Sequence, residues 1–137
     1  MKHGFLKVAA ATPKIRVADP VYNSEQIVNE AVRAVANGAK VVAFPELCIS
    51  GYTCADLFSQ DRLLASCKES LGWIAKETAY LDAILFVGLP LEYLGKLYNV
   101  AAVLHKGRCW LLFPKRTFPT MGNFTRCVIL RKDPIIL

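Results

Sequence analysis

The chain has 137 residues, is 54% apolar and carries a formal charge of +6. That length suits about one domain with a real core, and the composition is that of a globular protein, which excludes a disordered chain. No run approaches the ~18 consecutive apolar residues of a membrane span, and Lys2 and His3 precede no long apolar segment with a cleavage site, so neither a membrane protein nor a secreted one is expected.

In chain order, residues 5–11 form a short apolar run that reads as a strand, broken at Thr12-Pro13. A loop over 14–22 follows. Asn23 or Ser24 is placed to cap a helix over 24–37, with Gln26 in position for a capping interaction. Its apolar residues Ile27, Val28, Ala31, Val32 and Val35 recur at helical spacing, and Asn37-Gly38 stops it. Residues 41–44 read as a second strand. The strand-helix-strand order with short connections predicts a parallel pair with a right-handed crossover. Asp61 can cap a second helix over 61–79, with Leu64, Leu71, Ile74 and Ala75 on its apolar side. Three more strands are expected over 84–89, 97–105 and 109–113, the first of them buried on both faces. Lys106-Gly107 reads as the hairpin turn between the last two. Strands 5–11, 41–44 and 84–89 are expected in one mixed sheet, with both helices on one face.

Two residues stand out for chemistry. Glu46 follows the apolar strand 41–44 and sits between Pro45 and a loop that reaches Gly51. A carboxylate at the end of such a strand lies where open α/β sheets build their sites. On these residues alone it is either a general base beside a cleft or a solvated loop acid. Lys115 follows the last strand after Pro114, and is either a loop charge or a cation facing Glu46. In the second case the lysine would stabilise an oxyanion and the glutamate would take a proton from a thiol or hydroxyl nucleophile. The five cysteines Cys48, Cys54, Cys67, Cys109 and Cys127 are odd in number and show no paired spacing. Neither a disulfide framework nor a zinc site is indicated, and a reducing cytoplasm is the simplest setting. Residues 1–105 carry ten Lys/Arg and ten Asp/Glu, while residues 106–137 carry seven and one. The basic excess therefore lies in the tail. It lacks the regular spacing and stacking aromatics of a nucleic-acid surface, so no nucleic-acid partner is expected.

Several segments together resemble a known family. They are Ala9-Ala10-Ala11-Thr12-Pro13, Val17-Ala18-Asp19-Pro20, Tyr22-Asn23, Phe44-Pro45-Glu46-Leu47, Ser50-Gly51-Tyr52 and Asp56-Leu57-Phe58. Gly88-Leu89-Pro90, Leu97-Tyr98-Asn99 and Pro114-Lys115 continue the match. They are similar to the glutamine amidohydrolase half of glutamine-dependent NAD synthetases, a branch of the nitrilase-like carbon-nitrogen hydrolases. The resemblance implies an α/β fold, a nitrilase-like αββα sandwich of which residues 1–137 are an incomplete N-terminal portion. It implies a Glu-Lys-Cys triad in which Glu46 is the general base and Lys115 stabilises the tetrahedral intermediate. The family's nucleophilic cysteine lies several dozen residues beyond the lysine, and Cys127 comes too early to match it.

Residues 116–137 depart from the family. Here 116–127 read Arg-Thr-Phe-Pro-Thr-Met-Gly-Asn-Phe-Thr-Arg-Cys, where the family has Tyr and Glu side chains of the glutamine pocket. Codons for these residues, read one base out of register, return a family-like stretch, which implies a frameshift just after Lys115. The resemblance implies glutamine as substrate, release of ammonia for amidation of deamido-NAD in a separate domain, and an oligomeric full-length form. ATP and magnesium are implied for that separate domain and no cofactor for this chain. The residues leave open a stand-alone nitrilase-type amidohydrolase and a non-catalytic remnant, and with them whether this polypeptide is itself an enzyme.

Overall fold

The computed structural model describes residues 4–115. The tail 116–137, with Cys127 and the inferred frameshift, lies outside the described residues. Apolar runs too short to fold alone are paired into one mixed sheet of five strands, in the order β1-β2-β3-β4-β5. The strands are β1 (Val8–Ala10), β2 (Val41–Ala43), β3 (Ile84–Tyr93), β4 (Lys96–His105) and β5 (Arg108–Pro114). β1, β2 and β3 run parallel, and β3, β4 and β5 form an antiparallel meander. Parallel neighbours need a crossover. Here α1 (Pro20–Ala36) connects β1 to β2, and α2 (Asp61–Glu77) lies between β2 and β3. The two helices pack on each other and on the sheet, so both lie on one face, as expected.

Alternation along the strands decides where the core sits. Leu85, Val87 and Leu89 of β3 are buried and pair across with Leu104, Ala102 and Val100 of β4, which are buried too. Cross-strand partners share a face, and this one receives Ile27 and Ala31 from α1 and Cys67, Leu71 and Ile74 from α2. The other face carries Val41, Ile84, Phe86 and Phe113, with Ile84 37% and Phe113 43% exposed. An expectation that β3 is buried on both faces is thus corrected for its first half: Ile84 is exposed and Phe86 half-buried, whereas Gly88 and Pro90 on the same face are buried.

Other local expectations shift for identifiable reasons. The first strand shrinks to the three residues that β2 can pair, leaving Phe5 and Leu6 exposed. α1 begins before Asn23, with Asp19 as its N-cap accepting the Tyr22 N–H at 3.1 Å and Pro20 in its first turn. Pro suits that position because its missing N–H would have no intrahelical partner there. α2 starts at Asp61, after a Gln60 cap, and buries Leu63 where Leu64 was expected. A short 3-10 helix, Ala55–Ser59, occupies what reads as loop. Both hairpins turn through left-handed pairs, Leu94-Gly95 with φ 51° and 70° and Lys106-Gly107 with φ 50° and 77°. That geometry matches the twist of the strands it joins.

Candidate active site

The loop after β2 is placed by the strand beside it. Phe44 extends the pairing, its N–H donating to the Phe86 carbonyl at 2.9 Å, and Pro45 then ends the ladder. The chain next crosses over Gly88 of β3. A Cβ at Gly88 would lie 2.6 Å from the Leu47 nitrogen, 2.7 Å from the Pro45 oxygen and 3.0 Å from the Glu46 Cα. Only glycine permits that approach. The following residue, Leu47, adopts a left-handed φ of 53° with its side chain fully buried, which anchors the turn from below. Ile49 donates its N–H to the Gly88 carbonyl at 3.2 Å. Asn23 of α1 completes the support. Its amide donates to the carbonyls of Arg16 at 2.7 Å and Ile49 at 2.9 Å, and its oxygen accepts the Arg16 N–H at 2.7 Å.

These constraints hold Glu46 beside the end of β5. The Lys115 ammonium donates to Glu46 Oε2, so the two residues singled out from the sequence meet in an ion pair. The Asn99 amide of β4 donates to the other carboxylate oxygen, Oε1. The Lys115 backbone N–H donates to the Asn99 carbonyl at 2.8 Å, which joins the lysine to the same strand. The Glu46 side chain is 31% exposed and that of Lys115 47%, so the pair is open to a ligand. A carboxylate and an ammonium held together can accept a proton and offset developing negative charge. Asn99 was not read as a site residue from the sequence. The signal was a polar side chain inside the apolar strand 97–105.

No described cysteine is suited to be the nucleophile of this pair. Cys48, Cys54, Cys67 and Cys109 are all buried. Burial pushes the Cys48 and Cys67 thiols up to about 12 and that of Cys109 to about 11. Cys48, two residues from Glu46, has its Sγ turned to the Gly88 carbonyl at 3.5 Å. Reactive cysteines need the opposite environment, accessible and electropositive. Among the described residues no group of three or more His, Cys, Asp or Glu side chains is placed to hold a metal ion. No described helix is long and apolar enough to cross a membrane. A second ionic cluster, Lys40 and Lys106 around Asp82, lies at the opposite end of the sheet. The Lys40 ammonium, 2.5 Å away, holds the Asp82 carboxyl below its ordinary range.

Comparison with known proteins agrees with this architecture. Residues 7–116 match the family model of the carbon-nitrogen hydrolases. A glutamine-dependent NAD(+) synthetase from Mycobacterium tuberculosis is 37% identical over 123 residues, covering 90% of this chain and 18% of the relative. The crystal structure of a glutamine-dependent NAD(+) synthetase from Cytophaga hutchinsonii superposes with a TM-score of 0.80 at 25% identity, over 88% of this chain and 21% of that one. An amidase of the nitrilase superfamily from Nesterenkonia AN1 superposes with a TM-score of 0.71 at 22% identity, over 88% of this chain and 47% of that one. The last likeness is one of fold, and the fold is nitrilase-like: a mixed sheet with a helical layer on one face.

Proposed function

The chain belongs to the carbon-nitrogen hydrolase family, and from that premise we propose that it is the glutaminase portion of a glutamine-dependent NAD synthetase. Glutamine is the substrate, and the ammonia released amidates deamido-NAD in a separate domain. In this reading Glu46 is the general base and Lys115 the oxyanion-stabilising cation. The observation that carries it is the Glu46–Lys115 ion pair, formed where the loop after β2 meets the end of β5.

The chemistry follows from the charges. Glu46 takes the proton of a cysteine thiol, and the sulfur attacks the side-chain amide carbon of glutamine. The carbonyl oxygen becomes an oxyanion, whose charge the Lys115 ammonium offsets. Glu46 returns its proton to the departing nitrogen, ammonia leaves and a thioester remains. Water, deprotonated by Glu46, then cleaves the thioester to glutamate and the free thiol. No step needs a metal or an organic cofactor. The thiol comes from outside residues 4–115, since the described cysteines are buried.

The test is a graft. Residues 7–115 replace the matching segment of the Mycobacterium tuberculosis relative, which supplies the remainder of that protein. Ammonia release from glutamine is expected in the grafted protein. Glu46→Gln should lower it at least ~100-fold, the scale of a lost general base, while synthesis from added ammonia survives. A graft that retains ammonia-dependent synthesis yet cannot hydrolyse glutamine refutes the reading. The 137-residue chain alone is expected to release no ammonia from glutamine. Turnover that disappears on mutating Cys48, Cys54 or Cys127 would place the nucleophile within this chain.

A further inference from the structure

We propose that Asn99 is the positioning residue of this site, fixing the carboxylate plane of Glu46 and the backbone of Lys115 at once. The inference rests on the reading of Glu46 as base and Lys115 as its cationic partner, and adds the residue that sets their mutual geometry. Asn99 lies in β4 opposite Pro90 of β3, one residue before Val100, which pairs with Pro114 of β5. Its side-chain amide donates to Glu46 Oε1. Its carbonyl accepts the Lys115 N–H at 2.8 Å. One residue therefore reaches both members of the pair, one by side chain and the other by main chain.

The need for such a residue follows from the freedom of the pair. Gly88 and the buried Leu47 fix the main chain on either side of Glu46, but the carboxyl group can still rotate about its terminal bond. Lys115 contributes a compact ammonium on a flexible stem, which does not select one carboxylate plane. A donor on Oε1 selects it and leaves Oε2 for the ammonium. The polarity is determined by chemistry, since an ionised carboxylate only accepts and the amide group facing it must be the NH2. An amide also suits the task because it holds a carboxylate without exchanging a proton with it. An aspartate at position 99 would repel Glu46 instead.

The test uses the 15N-labelled 137-residue chain and reads two side-chain NMR signals, the Asn99 amide and the Lys115 ammonium. Glu46→Gln removes the charge that Asn99 faces and is expected to shift the Asn99 amide signal. Asn99→Leu is expected to reduce the Lys115 ammonium signal to the level seen in Glu46→Gln, with the backbone signals of β3 and β4 retained. A merely structural asparagine would not affect the lysine ammonium. An Asn99 amide signal that ignores Glu46→Gln overturns the proposal, and this arm does not depend on the Asn99 variant folding. A Lys115 signal of full strength in Asn99→Leu overturns it as well. Loss of glutamine hydrolysis in the grafted protein would instead count against the function and leave both signals unchanged.

Discussion

Gly88 lies directly beneath the main chain of Glu46, and its missing side chain is what brings the candidate base to its partner. The atoms a Cβ would meet are backbone atoms of Pro45, Glu46 and Leu47, which no rotamer change can move aside. Gly88→Ala must push the loop outward. The expected loss of stability is about 1–3 kcal/mol, the usual range for overpacking, or a fall in Tm of roughly 4 °C per kcal/mol for a chain between the ~100- and ~150-residue classes. Thermal unfolding by circular dichroism measures it. The same variant should weaken the Lys115 ammonium signal, because Glu46 moves while Lys115 stays beside the end of β5. An unchanged Tm together with an unchanged lysine signal would show that the loop yields freely and that Gly88 does not place Glu46.

At the level of elements, the loops matter more than the helices they connect. Asn23 is fully buried and ties the segment before α1 to the segment that carries Glu46. Removing its side chain leaves the Arg16 N–H and two carbonyls without these partners. Asn23→Ala is expected to destabilise the chain by roughly 2–4 kcal/mol, read as a shift of the urea midpoint. A loss below ~0.5 kcal/mol would show that water replaces the amide without penalty. The same residue explains what was legible in the sequence. Helix α1 was visible from the spacing of Ile27, Ala31 and Val35, but its start was read at Asn23 or Ser24 because both are favoured caps. Asn23 instead makes tertiary bonds, which no local propensity encodes, and Asp19-Pro20 opens the helix. Glu46 and Lys115 were readable because each ends an apolar run, a pattern visible along the chain. Asn99 acquires its partners only when β4 folds beside the Glu46 loop, so its role had only a weak sequence signal. The β3–β4 turn was missed for a similar reason. Leu94 is no turn former, and only the pairing of Tyr93 with Lys96 shows that it adopts a left-handed φ.

At the scale of the whole sheet, the described residues give two apolar faces and one helical layer. Leu85 and Phe86 are neighbours in β3, yet Leu85 is 1% exposed beneath the helices and Phe86 points to the other side. With Ile84 and Phe113, Phe86 forms a half-covered to exposed stretch of that face, beside the buried Val103. Contiguous apolar surface of this kind binds apolar ligands and promotes association. The two faces therefore predict opposite responses to charge. Phe113→Lys on the open face should lower the fluorescence of a bound hydrophobic dye and reduce self-association in sedimentation velocity. Its effect on stability should stay within ~1 kcal/mol, as for other exposed positions. Val87→Asp, on the face beneath the helices, buries an unpaired carboxylate. It should unfold the chain outright, since that penalty approaches the whole stability of a small domain. Circular dichroism and urea titration of the two variants separate the cases. If Phe113→Lys unfolds the chain as completely as Val87→Asp, the face is closed in solution.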